Sequence, residues 1–107
     1  MIDTDLLKYL EASQSDDDLY FIQMGKTNYI KIGRSNNPKR RFKSFTFPEE
    51  SKIILIKQKL GGIENILHKL FLHLRKNQEW FTFTDTEIEL IKNDQLDLLI
   101  SFYKRRI

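Results

Sequence analysis

Two hydrophobic runs four residues apart constrain this chain more than any other feature. Residues 19–24 and 29–32 are rich in Tyr, Phe and Ile, and the turn-prone Gly25-Lys26-Thr27-Asn28 lies between them. That pattern predicts a β-hairpin, with Gly33 closing its second strand. Asn37-Pro38 then reads as a helix N-cap followed by proline in the first turn. The helix it opens is expected over 38–45, with Phe42 and Phe45 facing inward and Pro48 ending the helical tendency. Residues 52–59 contain Ile53, Ile54, Leu55 and Ile56, a run that suits a buried central strand. Gly61-Gly62 separates it from a longer helix over 63–76. A fourth short strand or edge segment is expected over 80–83, and from Asp85 two helical pieces meet near Asn93-Asp94. The last of them is amphipathic through Leu96, Leu98, Leu99, Phe102 and Tyr103. At the other end, Thr4 or Asp3 can cap a helix to about Ala12, with Leu6, Leu7 and Leu10 on its apolar side.

These elements predict an α/β protein of the α+β kind, with a small antiparallel or mixed sheet of three to four strands flanked by helices. One domain over 1–107 is expected, with helical segments at 1–17 and 85–107. A hydrophobic fraction of 40% in 107 residues is too high for a disordered chain. The absence of cysteine excludes a disulfide framework, a thiolate zinc site and a cysteine nucleophile. No apolar run approaches the ~18 residues of a membrane span, and the acidic start lacks the basic opening of a signal peptide. The expectation is a soluble, intracellular protein that is neither secreted nor in the membrane.

Charge is distributed unevenly. Residues 1–19 carry six acids and one base, whereas 26–43 carry seven bases and no acid. The bases are Lys26, Lys31, Arg34, Lys39, Arg40, Arg41 and Lys43, interleaved with Tyr29, Phe42 and Phe45. Cations concentrated in this way match the phosphates of a polyanion, and nucleic acid is the obvious candidate. Lys39, Arg40 and Arg41 sit near a helix start, where the macrodipole disfavours them, which also asks for an anion nearby. In the long helix, Ile63, Ile66, Leu67, Leu70 and Leu74 form the buried stripe, and Glu64, His68 and Arg75 line one flank of it.

Together these residues give the chain a resemblance to the GIY-YIG endonuclease superfamily, over about residues 18–84. Leu19-Tyr20-Phe21-Ile22 occupies the position of the first strand motif and Lys31-Ile32-Gly33 that of the second, with ten residues between Tyr20 and Lys31. Arg41 follows Gly33 by eight residues, in the place of the family's helix arginine, and Glu64 matches its metal-binding glutamate. The chain most resembles a small phage and viral branch that reads KIG for YIG. That branch carries a Glu four residues before a His, then a Phe and Glu-Trp-Phe, here Glu64, His68, Phe71 and Glu79-Trp80-Phe81. Asp18-Leu19 stands where the superfamily has Gly-Ile, Lys31 replaces a tyrosine, and Asn77 is a loose match for a downstream asparagine.

The resemblance implies a metal-dependent DNA endonuclease of phage or viral origin, with one Mg²⁺ or Mn²⁺ on Glu64. Arg41 would clamp the scissile phosphate, and Tyr20 would orient or deprotonate the attacking water. Lys31 would lower the Tyr20 pKa if the two share a sheet face, and His68 would orient groups or shuttle protons. Lys26, Arg34, Lys39, Arg40 and Lys43 are the expected DNA contacts, and Trp80 and Phe81 are core. A homodimer, or a targeting partner bound through the terminal helices, is a further expectation. The alternative is a non-catalytic nucleic-acid-binding or protein-interaction module. Taken singly, Tyr20 also reads as a core aromatic, Arg41 as a cation lying across Phe45, and His68 as a core-edge histidine.

Overall fold

The computed structural model describes residues 15–77 and 79–104; the helix expected before Ala12 lies outside them. Five strands form one antiparallel sheet in the order β3-β1-β2-β5-β4. They are β1 (Asp18–Gln23), β2 (Tyr29–Ser35), β3 (Lys52–Lys57), β4 (Arg75–Asn77) and β5 (Trp80–Thr82). Four α-helices accompany them: α1 (Pro38–Lys43), α2 (Glu64–Leu70), α3 (Asp85–Lys92) and α4 (Leu96–Lys104). The α+β class is as expected, with one strand more than the three to four anticipated. None of the described helices is long and apolar enough to cross a membrane.

The hairpin pairs Asp18 with Ser35 through to Gln23 with Ile30. Because directly paired residues point to one face, this register separates two sets of side chains. Leu19, Phe21, Ile30 and Ile32 point into the main core, where they join Phe81, Leu67, Phe71, Ile88 and Ile91. Tyr20, Ile22, Lys31 and Gly33 point to the opposite face, as does Trp80, which pairs with Lys31. Helix α1 packs over that second face against β1, β2 and β3.

Gly33 does not end the second strand; β2 continues to Ser35. Residues 52–57 form the edge strand β3, not a central one. Their apolar run reflects cover on both faces, since α1 and α3 each pack against β3. The helix expected over 63–76 is broken. A 3-10 turn at Gly61–Ile63 leads into α2, a second at Leu72–Leu74 follows it, and Arg75 lies in β4 instead of on the helix flank. The break lets Phe71 turn inward, fully buried, with its ring edge-on to Phe83 and Tyr103 at 5.1 Å each.

The cap expected at Asn37 forms. Asn37 Oδ1 accepts from the Arg40 amide at 3.1 Å, with Pro38 in the first turn of α1. Thr84 and Glu87 make a reciprocal capping box at the start of α3, a feature worth about 1 kcal/mol. Asp94 adopts a left-handed φ of 57° between α3 and α4, where the chain was expected to break.

Candidate functional site

The second sheet face gathers most of the candidate residues. Tyr20 lies directly opposite Gly33 on the neighbouring strand, and its ring crosses the space that a side chain would fill. A Cβ on Gly33 would come within 2.5 Å of the Tyr20 hydroxyl and 2.6 Å of Cζ. Glycine is therefore required there for close approach, and Tyr20 is buried at 2% exposure. The Arg41 guanidinium, from α1, lies near enough to the phenol to favour its ionised form.

Burial pushes the Tyr20 phenol above its ordinary value of 10.0, and the Glu79 carboxylate adds to the rise. Arg41 opposes them, and Glu64 adds a smaller upward push. Lys31 shares the sheet face with Tyr20, as the role expected of it required. Its buried ammonium pairs with the Glu79 carboxylate, which neutralises its charge locally.

Glu64 reaches the site from the other layer. Gly61 places it: its amide donates to the Asp17 carbonyl at 2.9 Å, and a Cβ there would meet Asp17 Cβ and carbonyl oxygen at 2.8 Å. That close approach pins the start of α2 to the start of β1. Burial holds the Glu64 carboxyl above its ordinary value of 4.5; His68 lowers it, Glu79 raises it, and Arg34 and Lys31 lower it. One turn along α2, His68 Nε2 donates to the Ile32 carbonyl at 2.9 Å, and its ring stands edge-on to Phe81 at 5.0 Å. A carbonyl only accepts, so this contact places a proton on Nε2. The Ile32 amide donates to the Glu79 carbonyl at 3.1 Å, so the peptide of one residue ties β2 to both Glu79 and His68.

The structure thus brings Tyr20, Lys31, Arg41, Glu64 and His68 into one electrostatic neighbourhood, and adds Glu79. Glu79 stands in the Glu-Trp-Phe motif with no role expected of it; the structure places it beside Trp80, the residue that pairs with Lys31. Phe45 is another correction. It is not inward-facing but 39% exposed, with Arg41 Cζ 4.8 Å and Lys31 Nζ 5.4 Å from its ring centroid. Trp80 is only half-buried, whereas Phe81 is core as expected.

The remaining cations divide. Lys39, Arg40 and Lys43 are exposed on α1. With only six residues in that helix, Arg40, Arg41 and Lys43 fall in its last turn, so the macrodipole favours them there and the argument from a disfavoured helix start fails. Arg34 lies 4.0 Å from Asp17, at the same end of the hairpin. Lys26 sits in the turn at the opposite end and pairs with Glu50 at 3.5 Å.

No curated protein and no solved structure matches this chain. One family model does, that of the T5orf172 domain, over residues 11–101. This overturns the resemblance to GIY-YIG endonucleases, because the model that matches is T5orf172 and no GIY-YIG model does. Asp18-Leu19 and Lys31, where the strand motifs depart from that superfamily's name, are the residues on which the resemblance was weakest. The T5orf172 domain is loosely associated with nuclease-like activity. Matched over most of its length, the chain belongs to the T5orf172 domain family.

Proposed function

We propose that this protein is a metal-dependent endonuclease that hydrolyses phosphodiester bonds in DNA. The observation that carries the reading is the approach of three groups from three elements. Tyr20 on β1 lies within electrostatic reach of both Arg41 on α1 and Glu64 on α2. A phosphodiester needs its phosphoryl charge compensated, its attacking water oriented and its leaving alkoxide stabilised. Arg41 offers parallel donors to the phosphate oxygens and stays protonated.

Tyr20, with its pKa raised, keeps its proton near neutrality. Its first role is to hold and orient the water; to act as a base it must first lose its own proton to solvent, and Arg41 favours the phenolate that would then take a proton from the water. His68, with Nε2 fixed on Ile32, leaves Nδ1 to exchange a proton with solvent.

Among the described residues no three His, Asp or Glu side chains cluster as metal ligands. The half-buried Glu64 carboxylate is a hard oxygen donor, and it suits Mg²⁺ or Mn²⁺ that keeps most of its water and takes a phosphate oxygen. Such an ion would supply charge for the phosphoryl group and a more acidic water. Glu79 is committed to Lys31 and is not assigned to it. Lys39, Arg40 and Lys43, exposed beside Arg41, would carry the flanking phosphates.

The test is incubation of the purified protein with supercoiled and branched DNA, with and without Mg²⁺ or Mn²⁺. Metal-dependent nicking or linearisation, lost in Glu64→Gln and Arg41→Ala, is expected. Tight DNA binding without cleavage under every metal condition would overturn the reading in favour of a binding module.

A further inference from the structure

Beside Tyr20 a depression of about 400 Å³ opens, lined by Lys31, Arg41, Phe45, Asn77, Glu79 and Trp80. Phe45, Asn77, Glu79 and Trp80 have no part in the hydrolysis proposed above. The lining combines two aromatic rings, two cations, an amide and a carboxylate.

The rings are held from behind. Phe42 stacks on Phe47 with centroids 5.1 Å apart and planes 15° apart. Phe47 in turn supports Phe45 at 5.6 Å and Trp80 at 6.1 Å. Phe45 is thus an aromatic surface kept partly in solvent yet braced by its neighbours, which reduces the ordering cost of stacking against it. Arg41 and Lys31 lie against the same ring, so positive charge adjoins the apolar plate. A nucleotide presents the complement, a flat base beside a phosphate. The Asn77 amide offers a donor and an acceptor, and the Glu79 carboxylate, whose Oε2 is held by Lys31, offers its other oxygen as an acceptor, groups that read a base edge. The volume lies at the small end of ligand sites, which run from about 300 to 1,000 Å³. It suits one base with its sugar, not a duplex.

We propose that this depression holds one unpaired nucleobase of the DNA substrate, stacked on Phe45 and read at its edge by Asn77 and Glu79, while Arg41 takes the adjoining phosphate. The inference deepens the nuclease reading and rests on it. It names the substrate class: DNA with a bulged, mismatched or branched nucleotide next to the cut. In a fully paired duplex the base must first leave its stack and its partner, so such DNA fills the depression less readily.

The test measures binding of the whole chain without divalent ions, which separates recognition from cleavage. Two oligonucleotide duplexes are compared, one carrying 2-aminopurine as a single-nucleotide bulge and one carrying it fully paired. The bulged DNA should bind more tightly by about 5- to 150-fold, the range given by base–aromatic stacking, with a change in 2-aminopurine emission seen only there. Phe45→Leu keeps apolar bulk without a π face; it should lose the preference and the emission change but keep the affinity for paired DNA. Phe45→Trp should keep both. Equal affinities without an emission change, alongside intact metal-dependent cleavage, would overturn the base site alone. A Phe45→Leu loss equal on both duplexes would overturn it too, by showing that Phe45 only holds Arg41. Absence of binding to either duplex would overturn the nuclease reading as well.

Discussion

Gly33→Ala tests the packing that the candidate site rests on, independently of any reaction. The new Cβ would lie 2.5 Å from the Tyr20 hydroxyl oxygen, 2.6 Å from Cζ and 3.1 Å from Cε1. Relaxed contacts lie at about 3.5–4.0 Å, so the ring must retreat by about 1 Å. With Tyr20 at 2% exposure, it can do so only by displacing neighbours. Overpacking of this kind costs about 1–3 kcal/mol, which in a domain of this size lowers Tm by roughly 4–8 °C per kcal/mol. The cost belongs to the pair, so removing the ring should remove it. Tyr20→Ala is itself destabilising by about 3–5 kcal/mol, yet in that background Gly33→Ala should cost nothing or partly fill the hole. Urea denaturation of the four proteins gives the coupling, expected at about 1–3 kcal/mol. Additive effects within about 0.5 kcal/mol would refute the contact. The same retreat draws the hydroxyl from Arg41, so Gly33→Ala should lose DNA cleavage at temperatures where it remains folded.

Three further outcomes follow from particular interactions. The Glu64 carboxyl is held above its ordinary value, so the folded state binds its proton more tightly, and that contribution is lost as pH rises from about 4 through the raised value. Thermal melts should therefore find Glu64→Gln more stable than the parent chain near pH 7, with the advantage vanishing toward about pH 4; lower stability of the variant at neutrality contradicts this. Glu79→Ala leaves the buried Lys31 ammonium without its carboxylate, costing about 1–3 kcal/mol in denaturant titrations, and adding Lys31→Met should recover part of it. DNA affinity should fall with salt at ~0.9 logarithmic units per neutralised phosphate. Replacing Lys39 and Arg40 by Gln should lower that slope by up to ~1.8, whereas Lys26→Gln, at the far end of the hairpin and paired with Glu50, should leave it nearly unchanged.

The sequence by itself determined what local periodicity and local chemistry control. The hairpin, the Asn37-Pro38 helix start and the break between the two last helices are written in residues within one turn of each other. Tyr20, Arg41 and Glu64 were singled out through a resemblance to a family that is not the one that matches, and the fold brings Arg41 and Glu64 within electrostatic reach of Tyr20. Tertiary structure decided the rest. An apolar stripe running from Ile63 to Leu74 predicts one helix, but Phe71 gains more by entering between Phe83 and Tyr103, and the residues after Leu74 pair with β5 instead. The Ile53–Ile56 run reads as a central strand because sequence reports apolar character, not neighbours, and helices on both faces leave this edge strand partly covered. Nothing near Lys31 in the chain shows that the fold brings Glu79, 48 residues away, against its ammonium. Pairing of charges across such a separation depends on strand order and register, which are set by long-range packing and leave no periodic trace in the chain.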